Sequence, residues 1–273
     1  MEEQLITRLK KGDVGDYVFF CGEPERVDKI VDLLGGGDLV TSLREFRVYN
    51  AAVGDTRVSV ASTGIGGPST AVLMEELANV GSHTFVRVGT SGGMGEAKKG
   101  DFVISSGAIR ADGTTPQYAW PTYPAVAHHE VVLALIESAE KTSAPYHVGL
   151  TYSVDAFYAE NKVLVNDDLT SMSHAGYLLP SKKERLRDAI AMGAKHIEME
   201  NGTIFTLGGL FGLRTGSICT VSDVVPWHPT DEIINFEENI TDCIRVGIGG
   251  MANLIAMDRE RGDARYWHRG AKG

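Results

Sequence analysis

Along most of this chain, short apolar runs alternate with longer stretches in which apolar residues return every three or four positions, the periods of strands and helices. "DYVFFC" (16–21) predicts a strand, and "PERVDKIVDLL" (24–34) a helix with Pro24 in its first turn and residues 27, 30, 31 and 34 on one face. The same alternation continues through strands at 57–62, 83–88, 101–107, 146–154, 195–199 and 215–222. Between and after them the pattern predicts helices at 68–80, 127–140, 180–193, about 200–212 and 237–260. No proline-rich or serine-rich linker divides the chain and no internal repeat is visible. The expectation is therefore one α/β domain spanning 1–273, built on a mixed, largely parallel sheet flanked by helices.

Three glycine-bearing turns follow predicted strands: "CGEPER" (21–26), "STGIGGPS" (62–69) and "VGTSGGMG" (88–95). In open α/β sheets such loops gather at the carboxyl ends of the strands, where ligands bind, and a helix start beside them offers free N–H groups to an anion. Taken singly, each is equally a tight turn; together they predict one site built from several loops.

Composition narrows the chemistry. A chain of 273 residues with 43% hydrophobic residues can bury a large core. No run approaches the roughly 18 uninterrupted apolar residues of a membrane span, and "MEEQLITRLKKGD" has no apolar signal core, so the expected location is the cytoplasm. A formal charge of −10 argues against nucleic acid or an acidic membrane as partner, and requires any anionic ligand to be held by a local cluster of Arg or Lys. Cys21, Cys219 and Cys243 are widely spaced, which predicts buried reduced thiols and neither a disulfide framework nor a zinc site.

Common motifs fit poorly. "GIGGPS" places Ser69 where a dinucleotide fingerprint needs its third glycine or alanine. "GTSGG" (89–93) has the spacing of a serine nucleophile elbow, but no helix follows directly. His128 and His129 are neighbours on a predicted helix and do not share a face, so they read as solvated or capping residues and no metal site is expected.

The blocks "CGEPERVDKI", "REF" (44–46), "STGIGGPST", "RVGTSGG", "DGTTPQYAWPTYPAVA", "DAFY" (155–158) and "IEMEN" (197–201), in this order, resemble the nucleoside phosphorylase family in its uridine phosphorylase and hexameric purine nucleoside phosphorylase branch. The resemblance runs from about residue 8 to 258, more loosely at 160–195. It implies a pentosyltransferase in which inorganic phosphate, as co-substrate, cleaves the N-glycosidic bond to give pentose 1-phosphate and free base. Gly22, Arg26, Arg44, Arg87 and Thr90 match the family's phosphate positions, and Arg44 falls where the neighbouring subunit contributes, implying a homodimer or a homohexamer built as a trimer of dimers. Guanidinium forks suit a phosphate dianion, although a surface ion pair is the ordinary fate of any one arginine.

Thr90, Ser91, Gly92, Phe157, Glu198, Met199, Glu200, Asp223 and Trp227 fall at nucleoside-binding positions, with Asp223, Arg87 and Glu200 as the catalytic set. Glu200 would accept from the ribose 2′-hydroxyl, Met199 would pack on the sugar, and Glu198 would hold the pocket or the hydroxyls. Strand alternation puts the two glutamates on one face, and the alternative for Glu198 is that it caps the following helix. Asp223 matches the aspartate that serves purine N7, its alternative being a cap on the turn before Pro226, and Trp227 and His228 lie on a loop able to cover the base.

Some positions depart from the family. Ile6 stands near its N-terminal histidine, and Asn161 and Val163 replace the glutamine and arginine that read uracil. A structural potassium site would fall on Glu45, Ile65 and Ser69. The residues thus lean toward 6-oxopurine nucleosides, inosine and guanosine, with uridine as the alternative. A hydrolase of the same fold and a dinucleotide-binding protein also stand open, the first disfavoured by the three arginines and the second by the missing glycine.

Overall fold

The computed structural model describes residues 3–229 and 239–268. In chain order its elements are β1 (Tyr17–Cys21), α1 (Pro24–Leu33), β2 (Asp38–Leu43), β3 (Phe46–Val53), β4 (Thr56–Ser62), α2 (Gly67–Asn79), β5 (Thr84–Gly93), β6 (Phe102–Ala111), β7 (Ala125–Val126) and α3 (His129–Ala139). They continue with β8 (Tyr146–Val154), α4 (Phe157–Glu160), β9 (Lys162–Val165), β10 (Asp168–Ser171), α5 (Arg185–Ala191), β11 (Ala194–Glu198), α6 (Asn201–Phe211), β12 (Arg214–Val224) and α7 (Ile240–Arg261). The helix expected at 237–260 thus begins at Ile240, and its first two predicted residues lie outside the described ones.

Ten strands form one sheet in the order β11-β8-β6-β12-β5-β1-β4-β3-β2, with β7 beside β6. Parallel ladders join β4, β1, β5 and β12, and likewise β6, β8 and β11. Antiparallel ladders join β6 to β12 and add β3 and β2 at the edge. The mixed α/β architecture expected from the sequence is present. The end of β11 also pairs antiparallel with β5, His196 opposite Gly93 and Ile197 opposite Gly92, so β5, β12, β6, β8 and β11 close into a ring.

Strand alternation sorts the core to the two faces of the sheet. Phe19 and Cys21 of β1 with Val86 and Val88 of β5 pack under α1, α3 and α7, where Val27, Ile30, Leu135, Ile244 and Leu254 are buried. Val18, Phe20 and Phe85 face the other way against α2 and α6, where Leu73, Leu77, Ile204 and Phe205 are buried. By length and composition α7 could cross a membrane, yet more than half of that stretch is buried inside the protein, as in the core helix of a globular domain. The three cysteines are buried and free, as expected.

Two departures from the periodicity reading bear on the site. The strand expected at 83–88 continues to Gly93, so Thr90, Ser91 and Gly92 lie in β5 itself; its ladder with β12 runs to Val224 opposite Gly93 and leaves no turn there. The looser segment after β8 contains α4 and a β9–β10 hairpin whose turn residues Asn166 and Asp167 both have positive φ (50° and 64°), the geometry of a tight two-residue turn.

Candidate active site

Chain segments from six places, at the carboxyl ends of β1, β5, β8, β11 and β12 and in the loop after β4, line a cavity of about 460 Å³. One end is basic. Pro24 starts α1 and brings Arg26 into its first turn, where the guanidinium is only 4% exposed and ion-pairs with Glu23. Arg87, also 4% exposed, points from β5 toward the start of α6. Its Nη2 donates to Glu200 Oε2 and lies 3.6 Å from Glu198 Oε2, while Nη1 donates to Cys219 Sγ at 3.0 Å. Burial opposes that charge, but the Cys219 sulfur and the carboxylates of Glu200 and Glu198 outweigh it and hold Arg87 above its ordinary pKa. Both Nε groups are buried without a hydrogen-bond partner among the described residues. Buried donors of that kind are rare in folded chains and are natural positions for an anion's oxygens. Gly22 and Thr90 also line the cavity.

The two glutamates around Met199 divide their labour. Glu198, the last residue of β11, accepts the backbone N–H groups of Glu200 (2.8 Å) and Asn201 (2.9 and 3.1 Å), orphan donors at the start of α6. It therefore caps the helix as well as lining the cavity. Burial raises its pKa well above the usual carboxylate range against the opposing pull of Arg87. Glu200 faces the cavity, taking the N–H of Gly66 on Oε1 (2.6 Å) and Arg87 on Oε2. Gly66, with φ 86°, precedes α2, so this one carboxylate ties the "STGIGGPS" loop to the arginine.

Beyond Met199 the wall turns mixed, with Phe157, Asn161, Val154, Ile197, Ser91, Gly92, Ser222 and Asp223. Asp223 reaches it through a bulge: Val221 pairs with Ser91 but Asp223 with Gly92, leaving Ser222 as an extra residue in β12. Bulges re-aim side chains, and this one lets two consecutive residues, Ser222 and Asp223, face the same cavity. Ser222 Oγ donates to Asp223 Oδ1 at 2.6 Å, and Trp227 Nε1 donates to Oδ2. Asn161 gives an amide N–H back to the Phe157 carbonyl (2.9 Å), which closes the short α4 turn.

Trp227 and Arg44 lie apart from this cavity. The indole is 7% exposed and packs behind Phe157, ring centroids 5.9 Å apart, so it supports the wall and holds Asp223 from behind. Arg44 sits exposed in the β2–β3 turn with φ 57°. Ser69 donates to Glu45 Oε1 (2.8 Å) and to the Thr63 carbonyl, while Ile65 is 77% exposed on the cavity rim. Near the N-terminus, the Ile6 N–H bonds Glu76 on α2 (2.8 Å). Sequence reasoning passed over Glu23 and Glu25, although both stand in the flagged "CGEPER" turn, and over Ser222, whose exposure to the cavity depends on the bulge. For Val154 and Ile197 no signal beyond strand hydrophobicity existed.

The strand ends of this mixed α/β sheet thus bring together two buried arginines, the carboxylates of Glu198 and Glu200, and Phe157 around one cavity. The sequence profile described as the phosphorylase superfamily matches residues 16–247. A uridine phosphorylase of Thermococcus kodakarensis is 37% identical over 274 residues, covering 99% of this chain and 94% of that protein. A guanosine phosphorylase of Halorubrum lacusprofundi is 37% identical over 81% of this chain and 83% of its own length. The uridine phosphorylase of Escherichia coli is 36% identical over 73% of this chain and 77% of its own length. The chain belongs to the phosphorylase superfamily, as a pentosyltransferase of the nucleoside phosphorylase family.

Proposed function

We propose that this enzyme cleaves 6-oxopurine nucleosides, inosine and guanosine, by phosphorolysis, and that the phosphate is held by Arg26, Arg87, Gly22 and Thr90. A phosphate oxygen forms a bond to C1′ as the glycosidic C–N bond breaks, and the bonding pair leaves with the base. The sugar gains oxocarbenium character, and Glu200, accepting from the 2′-hydroxyl, binds it more strongly as that charge develops. A purine departs more easily when N7 gains a proton or a hydrogen bond.

Asp223 carries the base assignment. Its carboxyl stands in the cavity wall beyond the sugar-side glutamates and is anchored on both oxygens. The position that would read a uracil edge offers Asn161, one amide N–H of which is held by the Phe157 carbonyl, and Val163, which has no polar side chain. Expected kcat/KM values are highest for inosine and guanosine, ahead of adenosine and uridine, and Asp223→Asn lowers purine cleavage by roughly a hundredfold. A wild type that prefers uridine, or an Asp223→Asn enzyme as fast on inosine as its parent, removes the assignment and leaves phosphorolysis standing. Uridine is the second reading, favoured by the extent of the match to the Thermococcus protein named for it. Release of base without phosphate would instead mark a nucleosidase.

Arg44 belongs to the same proposal as a residue supplied to a neighbouring copy, since it projects from an exposed turn and does not line the cavity of its own chain. The assembly is then a homodimer or a homohexamer built as a trimer of dimers, with any potassium at Glu45, Ile65 and Ser69 lying between copies. Mixing inactive Arg44→Ala and Glu200→Ala subunits is expected to restore activity through hybrid sites. Verified subunit exchange with no recovery contradicts sharing.

A further inference from the structure

The route Arg87 takes to Glu200 runs over its own strand. Two residues further along β5, and so on the same face, stands Gly89. A Cβ built on Gly89 would lie 1.9 Å from Arg87 Nη1, 2.7 Å from Cζ and 3.1 Å from Nη2, and these are its three nearest atoms. The guanidinium thus lies across the bare Cα of Gly89.

Neither the backbone conformation nor the strand pairing calls for glycine here. Gly89 is not among the positive-φ glycines, and it sits within a regular parallel ladder opposite Cys219, the residue whose sulfur takes Nη1. The contrast with other strand glycines is sharp. A Cβ on Gly107 of β6 would meet the backbone carbonyl oxygen of Ala125 on the neighbouring β7 at 2.9 Å, whereas the three atoms nearest to one on Gly89 all belong to the far end of a side chain.

We propose that Gly89 is a positioning residue for the phosphate-binding guanidinium, its missing side chain letting Arg87 lie flat on β5 between Cys219 and Glu200. This rests on the reading of Arg87 as a phosphate ligand. A methyl group at 89 takes the space of Nη1, so the guanidinium must lift off the strand, lose its bond to Cys219 and change its angle to Glu200. A bidentate ligand of phosphate depends on that angle, because its two N–H donors are fixed in one plane.

The test uses the full-length enzyme and inorganic phosphate, comparing Gly89→Ala, Arg87→Met and the double variant. Gly89→Ala is expected to raise the phosphate KM at least about tenfold, in the range of a disturbed charge partner, with nucleoside KM and melting temperature close to wild type. In the Arg87→Met background the same alanine is expected to change nothing further, because two substitutions acting through one group are not additive. An unchanged phosphate KM in Gly89→Ala, alongside a raised one in Arg87→Met, overturns the role of Gly89 alone. An Arg87→Met enzyme with its phosphate KM intact overturns the phosphate reading and this proposal with it. If Gly89→Ala fails to fold by itself, the double variant is expected to fold, since methionine carries no Nη1; failure there too overturns the claim that the guanidinium is the only obstacle.

Discussion

Replacing Arg87 with methionine is expected to abolish most phosphate-dependent cleavage while leaving a folded chain. Truncating one member of a buried, hydrogen-bonded charge pair costs roughly 2–5 kcal/mol, a factor of about thirty to several thousand in binding. Here the lost guanidinium is buried, lines the cavity and donates to Glu200, with Glu198 3.6 Å away, and on the proposed reading the loss falls on phosphate. A stability cost opposes this simple outcome, because two carboxylates would remain buried without their cation. That cost is limited by Glu198, whose pKa burial already raises, so that it can take up a proton and leave one charge where there were two. Activity therefore falls much further than stability. Initial rates against phosphate concentration, with a melting curve of the same sample, separate the two effects. Retained phosphate saturation at the wild-type concentration would take Arg87 out of the site.

Glu200→Ala is expected to lower kcat/KM for a ribonucleoside by roughly 10²–10³-fold, the scale of losing one hydrogen-bond partner tuned to charge developing in the transition state. Three changes coincide in this variant. The ribose loses its acceptor, Arg87 loses its nearest carboxylate, and the Gly66 N–H loses the oxygen that ties the loop before α2 to the site. A comparison of ribosides with 2′-deoxyribosides isolates the first. If Glu200 accepts from the 2′-hydroxyl, the substitution costs much less with the deoxy substrate, which has no hydroxyl to lose. Equal losses on both would assign the effect to the arginine and the loop. Glu200→Gln keeps an oxygen for Gly66 and removes the charge, so its phosphate KM reports on Arg87 separately.

Local periodicity carried much of this protein. Residues three or four apart on a helix and two apart on a strand are neighbours whatever the rest of the chain does, so β1, α1, β4, α2, β8 and α6 could be placed to within a residue or two from the apolar pattern. The glycine turns at 21–26, with Arg26, and at 62–69 were legible because parallel strands deliver their carboxyl ends to one rim, whereas the stretch expected to turn at 88–93 stays in β5. The β2–β3 hairpin escaped because β2 is an edge strand, largely exposed and with no buried face to impose alternation.

The remaining features depend on partners distant in sequence. That β11 pairs with both β8 and β5, closing the ring, follows from sheet twist and register, and no window of the sequence contains it. The bulge at Ser222 exists because β12 must match β5 residue by residue up to Val221 and then slips, turning Ser222 and Asp223 together into the cavity. Around Met199 the alternation rule placed both glutamates on one face, and both do reach Arg87. Their separate tasks appear only where the chain bends after β11, giving Glu198 the free N–H groups of α6 and Glu200 the cavity. Local sequence set which residue types were available and which faces they would share. Folding decided which of them met, because hydrogen-bond partners and bare glycine surfaces such as Gly89 are set by backbones brought together across the sheet.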